Sequence, residues 1–186
     1  MITPIVKNEG RTVVFGPCRL SYAYLFNKFV PENGMGDAKY MTSILIPSGE
    51  KGTLNAIKKA IEAAKAFGLV SKWGGKEPRK LDLPLRDGNE KEDDVYANMM
   101  YINAKSCTRP GIVDRNRNPI VDEEEIYSGV WAIVSVTFYP YNTSGNCGIA
   151  CGLNNIMKFK DDEQFGGRIS AENDFAGIDI EDDEDL

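Results

Sequence analysis

Apolar residues recur at two spacings along this chain, and the change from one to the other marks its elements. Between Arg11 and Leu25 they fall on alternate positions: Val13 and Phe15, then Leu20, Tyr22 and Tyr24 beyond a Gly16-Pro17 interruption. Period two predicts a half-buried strand. Phe26 to Ala38, broken by Pro31, Gly34 and Gly36, reads as a loop, and Lys39 to Ile46 as a second strand. The period then changes. Leu54, Ile57, Ile61, Ala64 and Phe67 recur at steps of three and four, which predicts a helix over 53–67 that stops at Gly68. Lys58, Lys59, Glu62 and Lys65 fall on its other faces, so the apolar stripe is a core contact.

Val70 to Val95 shows neither period. It holds Gly74, Gly75, Pro78, Pro84 and Gly88 and the acidic run Glu90 to Asp94, and reads as a flexible insertion over about 70–95. Strands return at Tyr96 to Lys105 and Gly111 to Val113, followed by a turn over Asp114 to Pro119. Val130 to Tyr141 is the clearest strand. Val130, Ala132, Val134, Val136 and Phe138 form one face, and Trp131, Ile133, Ser135, Thr137 and Tyr139 the other. Asn142 to Asn146 turns it into Cys147 to Phe159, where Gly148, Ala150 and Gly152 alternate on one side, so something must approach closely there. About six strands, hairpin-length turns and one helix predict a mainly β fold. The pattern suits an OB-fold-like, five- to six-stranded Greek-key barrel with one inserted helix, with a β-sandwich as the alternative.

Charge changes the picture at the C-terminus. The chain of 186 residues has 22 Lys and Arg against 28 Asp and Glu, a net charge of −6. Eight of those acids lie beyond Arg168, the last basic residue, which leaves residues 1–168 with 22 against 20, or +2. The division is therefore a domain over 1–168 and a disordered acidic tail over 169–186, ending in Asp179, Glu181, Asp182, Asp183, Glu184, Asp185 and Leu186. Charges this dense repel one another and stay solvated. They form a solubility tail, or an internal polyanion that competes with nucleic acid for a basic groove and recruits partners with basic pockets. The N-terminus lacks the features of a secretory leader and no apolar run approaches a membrane span, which predicts a cytoplasmic protein, the host cytoplasm if phage-encoded.

Candidate chemistry is narrowed by what is missing. The chain has no histidine, which excludes Ser-His-Asp and Cys-His catalysis and imidazole metal sites. Cys18, Cys107, Cys147 and Cys151 form no CxxC pair and read as buried free thiols. Asp93-Asp94 and Asp122 to Glu125 are consecutive acids in polar turns, the pattern of solvated turns more than of a Mg²⁺ nuclease. Gly74-Gly75 lacks the strand-then-helix context of a phosphate loop. No cofactor is expected. The best constellation mixes cations with rings on β-hairpins: Lys105 and Arg109 after Tyr101, Arg115 and Arg117 around a turn, Tyr139 at a strand end, Lys158 beside Phe159, and Trp73 in a basic loop. Such mixtures hold single-stranded nucleic acid, with Lys and Arg neutralising phosphates and rings stacking on bases. A Mg²⁺-dependent nuclease, or a structural module without DNA binding, are the other readings.

Three stretches carry a family resemblance: KSCTRPGIVD from Lys105 to Asp114, IYSGVWA from Ile126 to Ala132, and GLNNIMKFKDDEQFGGR from Gly152 to Arg168, followed by the acidic end. The sequence resembles phage single-stranded DNA-binding proteins and, more distantly, the OB-fold replication protein of podophages. The resemblance implies an OB-fold that binds single-stranded DNA without sequence preference, acts in replication and recombination, and has no enzymatic activity. It implies a tail that contacts replication or recombination proteins and competes with DNA, and it allows a homodimer. Carried onto this chain, the DNA contacts are Lys105, Arg109, Arg115, Arg117 and Lys158, with Tyr101 and Tyr139. Related tails commonly end in an aromatic residue, whereas this one ends in Leu186, with Phe175 ahead of the main acidic run.

Overall fold

The computed structural model describes residues 1–166. The segment read as an acidic tail lies outside the described residues. Eight strands and one α-helix follow in chain order: β1 (Ile5–Lys7), β2 (Thr12–Phe29), β3 (Lys39–Pro47), α1 (Lys51–Ser71), β4 (Leu85–Asp87), β5 (Met99–Ser106), β6 (Gly111–Val113), β7 (Trp131–Thr143) and β8 (Asn146–Lys160). The long periodic segments match the elements read from the sequence. β2 runs on through Phe26 to Phe29, where Phe29 pairs with Lys39, so the predicted loop is shorter. β1 and β4 have three residues each, too few to display a period.

Five strands close on themselves. β2 pairs antiparallel with β3 and with β7, β3 with β5, and β7 with β8. The ring is completed where β5 meets β8 in parallel at Lys105 and Gly152. A sandwich would leave two separate sheets. The closed ring is instead a five-stranded OB-fold barrel, with β1, β4 and β6 added to β2, β5 and β8. Alternation puts Val13, Phe15, Ile44, Ile46, Ile102, Val134, Val136 and Phe138 inside, all essentially without exposure. Leu54, Ile57, Ile61 and Ala64 of α1 join this core, whereas Phe67, the last residue of the predicted stripe, lies under the Arg11 guanidinium at 4.1 Å. Cys18 and Cys151 point inward, and burial pushes the Cys18 thiol up to about 12, so it stays un-ionised. Cys107 is exposed, contrary to the expectation of buried thiols throughout.

The stretch read as an insertion over 70–95 is tied to the barrel at Trp73, at Asp82 and through β4. Trp73 is only 9 % exposed. Its ring covers Gly68 at the end of α1, and its indole N–H donates to the Tyr141 carbonyl at 3.2 Å. The basic residues around Trp73 suggested an accessible ring, but its area and single N–H are both satisfied inside the fold. Farther on, Asp82 bridges to Gly148, β4 pairs with β5, and 3₁₀ turns at Gly88–Glu90 and Asp94–Tyr96 lead into β5. Replacing Trp73 by Ala should lower the free energy of unfolding by about 3–5 kcal/mol in urea denaturation, the usual cost of deleting a buried indole.

Candidate nucleic-acid interface

On β5, Ile102 and Ala104 face the core, and Tyr101, Asn103 and Lys105 face outward. Strand pairing extends this outer face into three rows. Tyr101 lies beside Leu45 and Arg19, Asn103 beside Ser43 and Ser21, and Lys105 beside Met41 and Tyr24. Residues 82–87 cross the seam between β5 and β8, with Asp82 alongside Gly148 and Arg86 opposite Tyr101. A groove of about 350 Å³ opens here, with Lys39, Asp82, Arg86, Asn103, Lys105, Tyr139 and Tyr141 among its lining residues.

The row of small residues on β8 explains how the rings are seated. A Cβ on Gly148 would lie 2.5 Å from the Asp82 carbonyl oxygen and 2.6 Å from the Tyr141 hydroxyl. A Cβ on Gly152 would sit 3.4 Å from the Tyr139 ring, and Ala150 lies directly opposite Tyr139. What approaches closely is thus the Asp82 backbone together with the chain's own pair of tyrosines. The Tyr141 hydroxyl donates to Asp82 at 3.3 Å, and Asp82 also holds Arg86 at 3.3 Å. Tyr139 keeps 43 % of its surface exposed. Burial of the remainder, with Cys151 and Cys107 close by, raises its phenol above the ordinary value, so the ring is neutral beside a phosphate.

Lys105 and Tyr139 are therefore brought together, as their residue types suggested. Arg109 is exposed nearby in sequence, its guanidinium 4.9 Å from the Phe26 ring. Arg115 and Arg117 ride on a separate turn. There the N–H groups of Asn118 and Asn116 bond the Asp114 carboxylate and hold its carboxyl below the usual range. Arg115 covers Phe159 at 4.9 Å. Val113, at the start of that turn, pairs with Met157, and Tyr139 pairs with Ala150. Those positions on β8 are roughly 23 Å apart at the usual strand rise, so the turn does not share the groove.

Two expected contacts are corrected. Tyr101 is 6 % exposed, packed edge-on against Tyr96 with ring centroids 5.1 Å apart and lying under the Lys91 ammonium at 5.0 Å, so no base can reach its face. Tyr101 faces outward on β5, but the outer face carries a second apolar cluster there. Lys158 bonds the Glu125 and Asp161 carboxylates, the latter at 2.9 Å. Burial alone would push its ammonium down, but these bonds outweigh it and hold the pKa above the ordinary value. That charge is already neutralised.

The structure also supplies residues that sequence reasoning missed. Lys39 and Arg86 line the groove. Tyr22 and Tyr24 are 50 % and 39 % exposed, and the Lys91 ammonium lies 5.6 Å from the Tyr22 ring. Tyr22 has a left-handed φ of +50° where the β2 register shifts between Ser21 and Tyr24. Lys39 shares period-two parity with Met41 and Ser43, a signal that was present, whereas three-residue β4 gave none for Arg86. The acidic runs serve as turn caps: Asp93 accepts from the Val95 N–H at 3.0 Å and Asp122 from the Glu124 N–H at 2.9 Å. Among the described residues no helix is long and apolar enough to cross a membrane.

Known proteins share this architecture. Residues 11–186 match a family model described as the ssDNA-binding protein of Enterobacter phage Enc34. Protein p50 of Acyrthosiphon pisum secondary endosymbiont phage 1 is 30% identical over 179 residues, 90% of this chain and 94% of the relative. The single-stranded DNA-binding protein from bacteriophage Enc34, solved in complex with ssDNA, superposes with a TM-score of 0.73 at 24% identity, covering 88% of this chain and 98% of that one. The single-stranded DNA-binding protein gp2.5 of bacteriophage T7 superposes with a TM-score of 0.60 at 17% identity, over 85% and 96% of the two chains. At these identities both superpositions speak to the fold.

The ion pairs around Lys158 carry a pH dependence. Bonds from Lys158 and then Tyr127 hold the Asp161 carboxyl below the ordinary carboxylate range. A group depressed in the folded state stabilises it above its unfolded pKa, and the contribution is lost as pH falls through the folded value. The parent should therefore melt above Asp161→Asn at neutral pH, and the gap in Tm should close as the solution is acidified below about pH 4, the ordinary range of a free carboxylate.

Proposed function

The chain belongs to the family of the Enterobacter phage Enc34 ssDNA-binding protein, and on that footing we propose that it binds single-stranded DNA in the groove between β5 and β8. The observation that carries this is the convergence of Lys39, Arg86 and Lys105 with the half-exposed Tyr139 ring on one outer face. The cations neutralise phosphates of a passing strand, and the tyrosine stacks on a base, a contact worth about 1–3 kcal/mol. Every base has a π-face and every nucleotide a phosphate, so the groove reads no sequence. Asn103 adds a polar edge, its side-chain oxygen already accepting from the Ser43 hydroxyl. Tyr22 and Tyr24 extend the face toward β2, and Arg109, Arg115 and Arg117 supply flanking positive charge.

In this reading the protein is a non-enzymatic coat for exposed strands during phage replication and recombination. Residues 1–168 form the binding domain, and the acidic segment over 169–186 competes with DNA and recruits replication proteins. What supports the competitor is the charge division, since eight of the 28 acids lie past the last cation. The carboxylates of Asp93 and Asp122 are engaged in turns, and nothing in the site favours a hydrolytic reading.

Fluorescence anisotropy with labelled oligo-dT tests the groove. Lys105→Gln and Arg86→Gln should each weaken binding and shallow the slope of log K against log salt by about 0.7, the increment of one released counterion on a single strand. Lys158→Gln should leave both unchanged. A chain ending at Arg168 should bind more tightly than the full chain, most of all at low salt. Equal or weaker binding would remove the competitor.

A further inference from the structure

The segment around Trp73 holds a concentration of charge that the groove leaves unused. Between residues 72 and 80, Lys72, Lys76, Arg79 and Lys80 stand against Glu77, a balance of +3. Residues 1–168 total +2, so all the others together come to −1. The four cations are exposed. None of them forms an ion pair among the described residues, unlike Arg19 and Lys158.

Exposed charge on a free loop would be no more than solvated charge, but this segment is fixed at both ends. At one end the Trp73 indole N–H donates to the Tyr141 carbonyl at 3.2 Å, and the Gly75 N–H donates to the Leu69 carbonyl at 2.6 Å. At the other, the Asp82 N–H donates to the Cys147 carbonyl at 3.0 Å, and the Ile149 N–H donates to the Asp82 carbonyl at 2.9 Å. The cations are thus held beside the β7–β8 hairpin. A second hollow of about 410 Å³ connects them with the groove. Lys80, Gly145 and Cys147 line it, and it shares Asp82 and Tyr141 with the groove. Asp82 lies alongside Gly148, two residues along β8 from Ala150, the partner of Tyr139, a step of roughly 7 Å. Lys80 is two residues before Asp82, at most about 7 Å farther. The one carboxylate at the junction, that of Asp82, is already engaged by Arg86 and the Tyr141 hydroxyl.

We propose that a single strand leaving the groove at Tyr139 and Tyr141 crosses the second hollow and continues along Lys80, Arg79 and Lys76, which neutralise its phosphates. This path rests on the reading of the groove as a single-strand site, and it lengthens that site. The groove supplies a stacking ring and the strip supplies charge alone. The strip therefore adds affinity only for strands long enough to pass Tyr141, and it adds it without regard to sequence.

Anisotropy with two lengths of oligo-dT tests the path, one of about four nucleotides and one of about sixteen, the usual limits of the site on one OB-fold. Salt is kept at or above about 0.15 M, where charges more than about 8 Å apart are largely screened. Replacing Lys76, Arg79 and Lys80 together by Gln should leave the short oligo bound as in the parent. For the long oligo it should shallow the slope of log K against log salt by about 2, at roughly 0.7 for each released counterion. Lys58→Gln with Lys59→Gln controls for diffuse charge, since Lys59 is twelve residues before the end of α1 at Ser71, about 18 Å along the helix axis. That pair should move neither slope. A comparable shallowing from the control pair, an equal loss at both lengths, or an unchanged slope for the long oligo overturns the path, the last being the result expected of a strip that serves an acidic protein. If Lys105→Gln and Tyr139→Ala fail to weaken the short oligo, the groove reading has failed and the path loses its origin. Should the triple variant not fold, Lys80→Gln alone repeats the comparison, with an expected shallowing of about 0.7 for the long oligo only.

Discussion

The parallel contact between β5 and β8 is the constraint on which the rest of the molecule depends. β7 and β8 form a long antiparallel hairpin, and β2, β3 and β5 a meander carrying the same alternation. Either could lie flat, with one face apolar and wet. Closing the ring at Lys105 and Gly152 turns both apolar faces inward and leaves an outer surface that carries core duties only at the Leu45, Tyr96 and Tyr101 cluster. The closure is narrow, a single register pair. The strands diverge on one side of it, and residues 82–87 fill the gap by pairing with β8 through Asp82 and with β5 through β4. A seam filled by a borrowed segment leaves a hollow beside it, and that hollow is the groove.

Several cations on the outer face are already engaged by the fold. Lys158 is neutralised by two carboxylates, Arg19 is shared among two carbonyls and a ring, and Lys91 lies over three tyrosines. Cation–π contacts of this kind are worth about 0.5–1 kcal/mol when exposed and more when dry, so such a lysine is not a free charge. Lys105 has no carboxylate partner among the described residues, and Arg86 has one exposed partner in Asp82. A formal charge of +2 therefore says less about attraction to a polyanion than the few cations that remain available.

The barrel was largely legible because its strands are long. β7 and β8 display enough alternations to fix both faces, and α1 enough turns to fix its stripe. β4 was invisible, and with it the structural role of residues 82–87, because pairing with β5 supplies an order that three residues cannot encode alone. The site was legible by residue type and not by partner. Tyr101 and Tyr139 are both tyrosines on strands with cations nearby in sequence, yet one is covered by Tyr96 and Lys91 and the other is open. Trp73 was misread for the same reason: a polar neighbourhood in sequence does not reveal a carbonyl waiting on a distant hairpin. The glycine and alanine row on β8 announced close packing correctly, without naming Tyr139 and Tyr141 as what packs there.

The three outer rows also give the molecule a direction. Glu123, Glu124, Glu125, Asp161, Asp162 and Glu163 gather near the Trp131 end of β7, where Arg19, Lys158 and Lys160 offset part of their charge, while Lys39, Arg86 and Lys105 surround the Tyr139 end, offset by Asp82. Such a surface is an electric dipole along the barrel wall. A polyelectrolyte approaching it feels a torque as well as an attraction, and meets the protein in a preferred orientation before any contact forms. Copies arriving on one strand would share that bias, and a coat built from them would carry the polarity of its subunits.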